Sequence, residues 1–584
     1  MPSQLIAPTP MNPAVEASRN CVVLEQGDMM SQCVKRLVLS CLPRVFAISL
    51  LTLACSESSP PRARSVVHAE HGKLFDGDGR SVRLRGVTFE LSDDAATSDP
   101  DYGESDYERV AAMGFDSVRF YFNYKAFEDD AAPYQYKASG FAWLDQHVAW
   151  AKAHGIQLVL SLAAAQGGND PDCTGNALWD LADNQDRVVA LWRAIAQRYA
   201  AEPTIAAYDL ISQPSPSSSL DQWQALAGRS ATAIREVDPD HLLVVEQTVT
   251  INCSYDNQYD PDTSLIVLTD PNVLYAFQVY WPWVYTSQLM SGSHSEDAGA
   301  YPDQDRIGTM DFHDLTQVPA YPGSALLTPD ETSWTQKRFY YTAVKAEDQV
   351  AQVILQSANN PGKVYFDDLL IEELDPDFNF VRTVIDADLE AATNWYLWQD
   401  PAGAATGEKG VGADGHRGTA SITLSRTSSN ASLSFADLYA FPLRQNYTYR
   451  VTGWMKGENS APNAASQLGL SVWRHTGTVP PLRNKANLAG MLQRFVDWGH
   501  SHSVPMSVSE FGTGAPTFQN AKGGLAWVGD MVDLMNRNDL HFVYREYHGQ
   551  DFGIYRGDGG PVDPSNANQP LIDLFTLQLH HLGQ

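Results

Sequence analysis

Between residues 82 and 280 the apolar and polar positions fall into two alternating textures. Short, nearly continuous apolar runs read as buried strands: 82-VRLRGVTF-89, 117-SVRFYF-122, 156-IQLVLSL-162, 205-IAAYDLIS-212, 242-LLVVEQ-247 and 273-VLYAFQVY-280. Between them lie longer runs with apolar residues at helical spacing, such as 141-FAWLDQHVAWAKAHG-155 and 185-QDRVVALWRAIAQRYAA-201. Strands that alternate with helices predict a parallel sheet wrapped by helices. The texture returns late in the chain, with strand 505-PMSVSE-510, helix 523-GGLAWVGDMVDLMNRND-539, strand 541-HFVYREY-547 and helix 570-PLIDLFTLQLHHL-582. Six strands and then two predict an α/β fold, a closed (β/α)8 barrel, with the working residues at the carboxyl ends of its strands.

The interval from 318 to 480 differs. Its segments 335-TQKRFYYTAV-344, 363-KVYFDDLLIEE-373, 394-NWYLW-398, 419-TASITLS-425, 446-NYTYRVTGWMK-456 and 467-QLGLSVWR-474 alternate apolar with polar residues. That period predicts an antiparallel β-sandwich inserted between barrel strands 6 and 7. The expected organisation is a leader and tether over 1–64, a first barrel part over 65–317, the sandwich over 318–480 and a second barrel part over 481–584.

Charge narrows the partners. Lys and Arg number 40 against 70 Asp and Glu, a formal net charge of -30, which repels nucleic acid phosphates and anionic membranes. A neutral ligand is the better fit, and the 14 Trp and 25 Tyr supply faces of the kind on which the rings of a polysaccharide or oligosaccharide stack. Ordinary core packing accounts for most of those aromatics.

Four of the six Cys, Cys21, Cys33, Cys41 and Cys55, lie in the first 55 residues. The run 45-VFAISLLTLAC-55 follows Lys35, Arg36 and Arg44 and precedes 56-SESSPPRARS-65, the pattern of a bacterial export signal and a flexible tether, too short for a transmembrane span. Its end, 51-LTLAC-55, resembles a lipobox, so secretion and lipid anchoring of Cys55 at the cell surface or periplasm are both left open. Export makes a Cys173–Cys253 disulfide an expectation.

Three phrases carry a family resemblance: 144-LDQHVAWAKAHGIQLVLSLAAAQGG-168, 190-ALWRAIAQRYAAEPTIAAYDLISQP-214 and 505-PMSVSEFG-512. In this order they resemble glycoside hydrolase family 5, the cellulase-like TIM barrel enzymes, and the sandwich resembles jelly-roll carbohydrate-binding modules. The module's usual closing phrase, VYFDDLLIEE, comes here before its opening phrase, which suggests a circular permutation. The resemblance implies a retaining β-glycosidase with two carboxyl groups about 5 Å apart, one nucleophile and one acid/base. Glu510 matches the nucleophile, Arg119 the arginine that supports it and Tyr280 the strand 6 tyrosine beside it.

Elsewhere the chain departs from that pattern. Gln213 stands at the acid/base position, Ser212 replaces the preceding Asn, Ala163 a strand 3 His, Ser161 the Asp before it and Gln278 a strand 6 His. Thr88 stands where strand 1 often has Asn. An amide neither protonates a leaving group nor activates water, a loss of about 10²–10⁴ in rate. Glu246, Glu546 and His548 are candidate replacements or sugar contacts. No HExxH, Walker loop, GxSxG or CxxC supports other chemistry. No cofactor is implied, except that the Asp pair in 366-FDDLL-370 leaves open a structural calcium ion in the insertion. Two readings remain: a diverged glycosidase acting through Glu510, and a glycan-binding barrel that no longer turns over.

Overall fold

The computed structural model describes residues 66–90, 102–171, 174–255, 258–290, 297–308, 315–318, 322–358, 360, 362–390, 395–399, 407–426, 431–434, 440–475, 481–557 and 559–580. The leader, Cys55 and Cys173 lie outside them, and of the two compact units, Met1–Arg62 and Ala63–Gln584, only the second contains described residues. Among the described residues no helix is long and apolar enough to cross a membrane.

Eight parallel strands close a barrel. In chain order they are β1 (Arg85–Phe89), β2 (Ser117–Asn123), β3 (Gln157–Ala164), β4 (Ile205–Asp209), β5 (Leu242–Glu246), β6 (Val273–Val279), β7 (Met506–Phe511) and β8 (His541–Tyr544). These are the runs that the apolar pattern predicted, and the expected (β/α)8 fold is the one observed. The outer helices turn one stripe inward. In Leu220–Arg235, Trp223, Leu226, Ala227, Ala231 and Ile234 are buried against the strands, at the spacing of one helical face. The helix before β7, Lys485–His502, starts where the Asn484 side chain accepts the Asn487 N–H at 3.0 Å, satisfying an otherwise orphaned donor.

Inside the barrel the side chains change character with height. Val159, Ala207, Val244 and Ala276 form a small apolar layer, joined from below by Val67 and by Leu74 of the short antiparallel sheet made by His68–Glu70, Lys73–Phe75 and Ser81–Val82. Two residues further along the same strands come Ser161, Asp209, Glu246 and Gln278. Side chains in a strand repeat with period two, so each strand carries an apolar residue into the plug and a polar one into the layer above it. The polar layer lies at the carboxyl ends of the strands, which is where a site is expected.

Between β6 and β7 the chain builds two further, wholly antiparallel sheets. One has seven strands, centred on the pair Asp348–Ala358 and Ala465–His475. The other has six, centred on Lys363–Leu374 and Thr448–Glu458. Phe339, Phe366, Ile371 and Val451 of the second sheet share one apolar core with Val353, Leu355, Leu468 and Leu470 of the first. The first and last of these strands meet, Leu315 pairing with His475, and the chain leaving the barrel at Asp303–Ile307 pairs with the returning Leu482–Arg483. The strands 348-DQVAQVILQSA-358 and 380-FVRTVIDA-387 were not predicted, because neither shows a clean period of two: the first is buried on both faces and the second is largely exposed.

Of the aromatic residues that could have served as sugar platforms, Trp395 is 1 % exposed within that core. Trp454 is stacked on the His416 ring at 3.6 Å, Trp473 packs against a small satellite core, and the Trp398 side chain lies outside the described residues. The Asp pair does not stand open for calcium: Asp367 accepts the His416 N–H at 2.5 Å and Asp368 holds His416 Nδ1 at 2.6 Å. Among the described residues no group of His, Cys, Asp and Glu is arranged to hold a metal.

Candidate active site

The centre of the polar layer is one guanidinium. Arg119, from β2, is 1 % exposed; it donates to Asp209 Oδ2 at 2.8 and 3.0 Å, to Glu510 Oε1 at 2.8 Å, to Ser212 Oγ at 3.1 Å and to Ser161 Oγ at 3.3 Å, and it pairs with Glu246 Oε1. A planar, always charged fork suits this position, because it reaches carboxyl groups on β4, β5 and β7 at once. Burying so many charges is tolerable only because each ionised group has a partner.

Glu510 is the penultimate residue of β7 and is fully buried. Its Oε1 accepts from Arg119 and from the Tyr121 hydroxyl. Its Oε2 accepts from Tyr280 at 2.7 Å, Arg545 Nη1 at 3.1 Å and Gln213 Nε2 at 3.2 Å. Burial alone would raise this carboxyl, but the charges of Arg545 and Arg119 and the hydrogen bonds from Tyr121 and Tyr280 outweigh it and hold the group at about 2. Burial pushes both phenols well above their usual range, so they stay donors.

Glu246 has the opposite fate. Burial, together with Asp209 and Glu510 nearby, overrides Arg119 and lifts it to about 8, so it is a neutral acid at pH 7. It lies beneath Gln213, whose backbone N–H it accepts at 3.0 Å. That bond helps to hold Gln213 at φ 54, a left-handed conformation unusual for a residue with a side chain. Asn169 Nδ2 and Ser215 Oγ, both at 3.0 Å from the Gln213 carbonyl oxygen, fix its other end. The turn aims the amide at Glu510.

Above this layer opens a cavity of about 160 Å³, lined by residues that include Glu90, Tyr121, Ala163, Ser212, Gln213 and Arg545. Glu510, Arg119 and Glu246 do not border it, but each hydrogen-bonds to a residue that does. Of the predicted residues, Glu510, Gln213, Arg119, Tyr280, Ser212 and Glu246 are thus brought together. Gln278 pairs in register with Glu510 on the neighbouring strand, and its Nε2 is buried without a hydrogen-bond partner among the described residues. Glu546 is buried behind Glu90. His548, 3 % exposed, bridges to Tyr555 and does not border the cavity. Cys253 is disulfide-bonded.

Four residues of the site escaped the sequence reading: Tyr121, Asp209, Glu90 and Arg545. Two had a signal. Tyr121 follows Arg119 by one strand period, and Asp209 is a charged residue inside an apolar strand run, where an unpaired charge is too costly to occur by chance.

Residues 75–356 match the family model described as cellulase, glycosyl hydrolase family 5. Over those residues the chain is similar to glycoside hydrolase family 5. Among the proteins it resembles, Endoglucanase C of Acetivibrio thermocellus is 31 % identical over 200 residues, 34 % of this chain and 55 % of that protein. A Beta-xylosidase of Phanerodontia chrysosporium is 34 % identical over 155 residues, 25 % of this chain and 32 % of that protein. The chain therefore spans little more than half the length of the first of these relatives. Thermotoga maritima Cel5A, solved in complex with mannotriose substrate, aligns over 84 % of this chain and 96 % of its own at 12 % identity, with a TM-score of 0.42. The family match ends before β7, so the place of Glu510 in the barrel rests on its parallel pairing with Gln278 across β6 and β7.

Proposed function

We propose that the protein is a carbohydrate-active barrel that attacks β-linked glycans through Glu510, as a retaining glycosidase or transglycosidase, with an amide at the customary acid/base position. The observation that carries this reading is the state of Glu510. It is a carboxylate held ionised at about 2 and aimed from the end of β7 by Arg119, Tyr121 and Tyr280, directly beneath a cavity at the mouth of the barrel. A nucleophile has to be charged and positioned before substrate arrives. The Gln213 contact, at 3.2 Å the longest of those on Oε2, is the one a substrate has to displace to reach it. The endoglucanase relatives favour a β-linked glucan. Export from a bacterial cell, with release or lipid anchoring through Cys55, belongs to the same proposal.

One observation favours the second reading, a glycan-binding barrel without turnover: Glu510 is 0 % exposed, and Oε2 already accepts from three donors. Incubation with 2-deoxy-2-fluoro aryl β-glycosides, followed by mass measurement of the intact protein and its peptides, separates the two. An adduct on the peptide carrying Glu510, absent in Glu510→Ala, supports the enzyme. No adduct, with retained affinity for a β-glucan, leaves the binding protein.

A further inference from the structure

Resting on the glycosidase reading above, we propose that the proton donor has moved across the barrel mouth: Glu90, supplied by Glu546, does the work that the Gln213 amide cannot. Glu90 directly follows β1 and is, among the described residues, the one carboxylate in the cavity lining, with Gln213 bordering the same space. Arg545 clamps it, donating from Nε at 3.1 Å and Nη2 at 2.6 Å, while Nη1 of the same guanidinium reaches Glu510 at 3.1 Å. One rigid fork therefore fixes the distance between the cavity carboxylate and the nucleophile.

Behind Glu90 lies the Glu546 carboxyl, 8 % exposed and hydrogen-bonded to it. Gly549 packs against its far side, where an added Cβ would meet Glu546 Oε1 at 1.9 Å. Two carboxyl groups so close in a buried site cannot both ionise readily, so the pair retains a proton. Burial first, and then the charge of Glu90, push Glu546 well above its ordinary range, so the proton rests on Glu546. The other buried acids are excluded by position: Asp209 and Glu246 lie beneath the cavity, tied to Arg119.

The chemistry balances. The Glu546 proton passes along the hydrogen bond to Glu90, which gives it to the glycosidic oxygen as the C1–O bond breaks and a Glu510 oxygen bonds to C1. The leaving sugar departs as an alcohol, and both carboxyls of the pair are briefly ionised beside Arg545. Water then attacks C1, its proton goes to Glu90 and on to Glu546, and the bond from C1 to Glu510 breaks. The net change is hydrolysis of one glycosidic bond.

The test compares two substrates of one sugar in each protein sample, one with a dinitrophenyl and one with an alkyl leaving group. Their rate ratio does not depend on the fraction of protein that is folded. In Glu90→Gln the ratio is expected to shift by about 10²-fold or more against the alkyl glycoside, with added azide returning glycosyl azide from the activated one. Glu546→Gln should shift it in the same direction by less, and Glu458→Gln on the distant sandwich should not move it. An unchanged ratio in Glu90→Gln, while wild type still forms the Glu510 adduct, overturns the assignment of Glu90 alone. If neither wild type nor variant forms the adduct, the glycosidase reading falls and this one with it.

Discussion

The two sides of the barrel mouth have been built in opposite ways around one carboxylate. On the side of β3 and β4 stand Ala163, Ala164, Ser212 and Gln213, small or uncharged, while on the side of β8 and β1 stand Arg545, Glu546 and Glu90. Both sides touch the same atom, Oε2 of Glu510, one through an amide at 3.2 Å and the other through a guanidinium at 3.1 Å. The first side supplies space and a neutral donor, and the second supplies charge and protons. In a low-dielectric site a group's neighbours decide its protonation more than its own chemistry does, so an acid can serve from either wall. The comparison shows that loss of a carboxyl from one strand end does not by itself mean that the cavity lacks one.

The largest expected effect comes from removing what both sides stand on. Arg119→Met leaves Asp209, Glu246 and Glu510 without their common buried cation. A loss of about 3–5 kcal/mol in urea unfolding is expected; a loss below about 1 kcal/mol would show that the layer is held by its remaining hydrogen bonds. Next, Gln213→Glu tests the neutral side directly. In a Glu90→Gln background the new carboxyl, beside ionised Glu510, should stay protonated and donate, restoring hydrolysis of alkyl glycosides by about 10²-fold. No gain would mean that the leaving group never lies on the β4 side.

The smallest effect is a dependence on pH. Glu246 is held at about 8 in the fold against 4.5 ordinarily, so the native state keeps a proton that the unfolded chain has lost. Its contribution is fully present below about pH 4.5 and is lost as pH rises through 8. Relative to Glu246→Gln, wild type should lose about 2 kcal/mol between about pH 6 and pH 7.5, from a slope of about 1.4 kcal/mol per unit. Parallel stability curves for the two proteins would show that Glu246 is already ionised.

Legibility in the sequence followed the periodicity. All eight barrel strands and their outer helices could be read, because a buried parallel strand is an apolar run and its helix an amphipathic one. Glu510, Arg119 and Gln213 could be read through the family phrases around them. Glu90 could not, since 86-GVTFE-90 looks like a strand followed by a solvated charge. Nor could Arg545, in a run where Glu546 and His548 seemed equally apt. Their roles depend on β8 lying beside β1, a closure between segments some 450 residues apart.

By itself the sequence determined which residues face inward. The period of two carries Arg119, Asp209, Glu246 and Glu510 into one barrel, and the chemistry of Gln213 settles that this side chain cannot transfer a proton. Only the tertiary structure decided which of these groups are charged. A carboxyl's state follows from its burial and its partners, and those come from strands far apart in the chain: Glu510 ionised between two guanidinium groups, Glu246 neutral in the same layer, and Glu546 holding the proton that Glu90 borders the cavity to deliver.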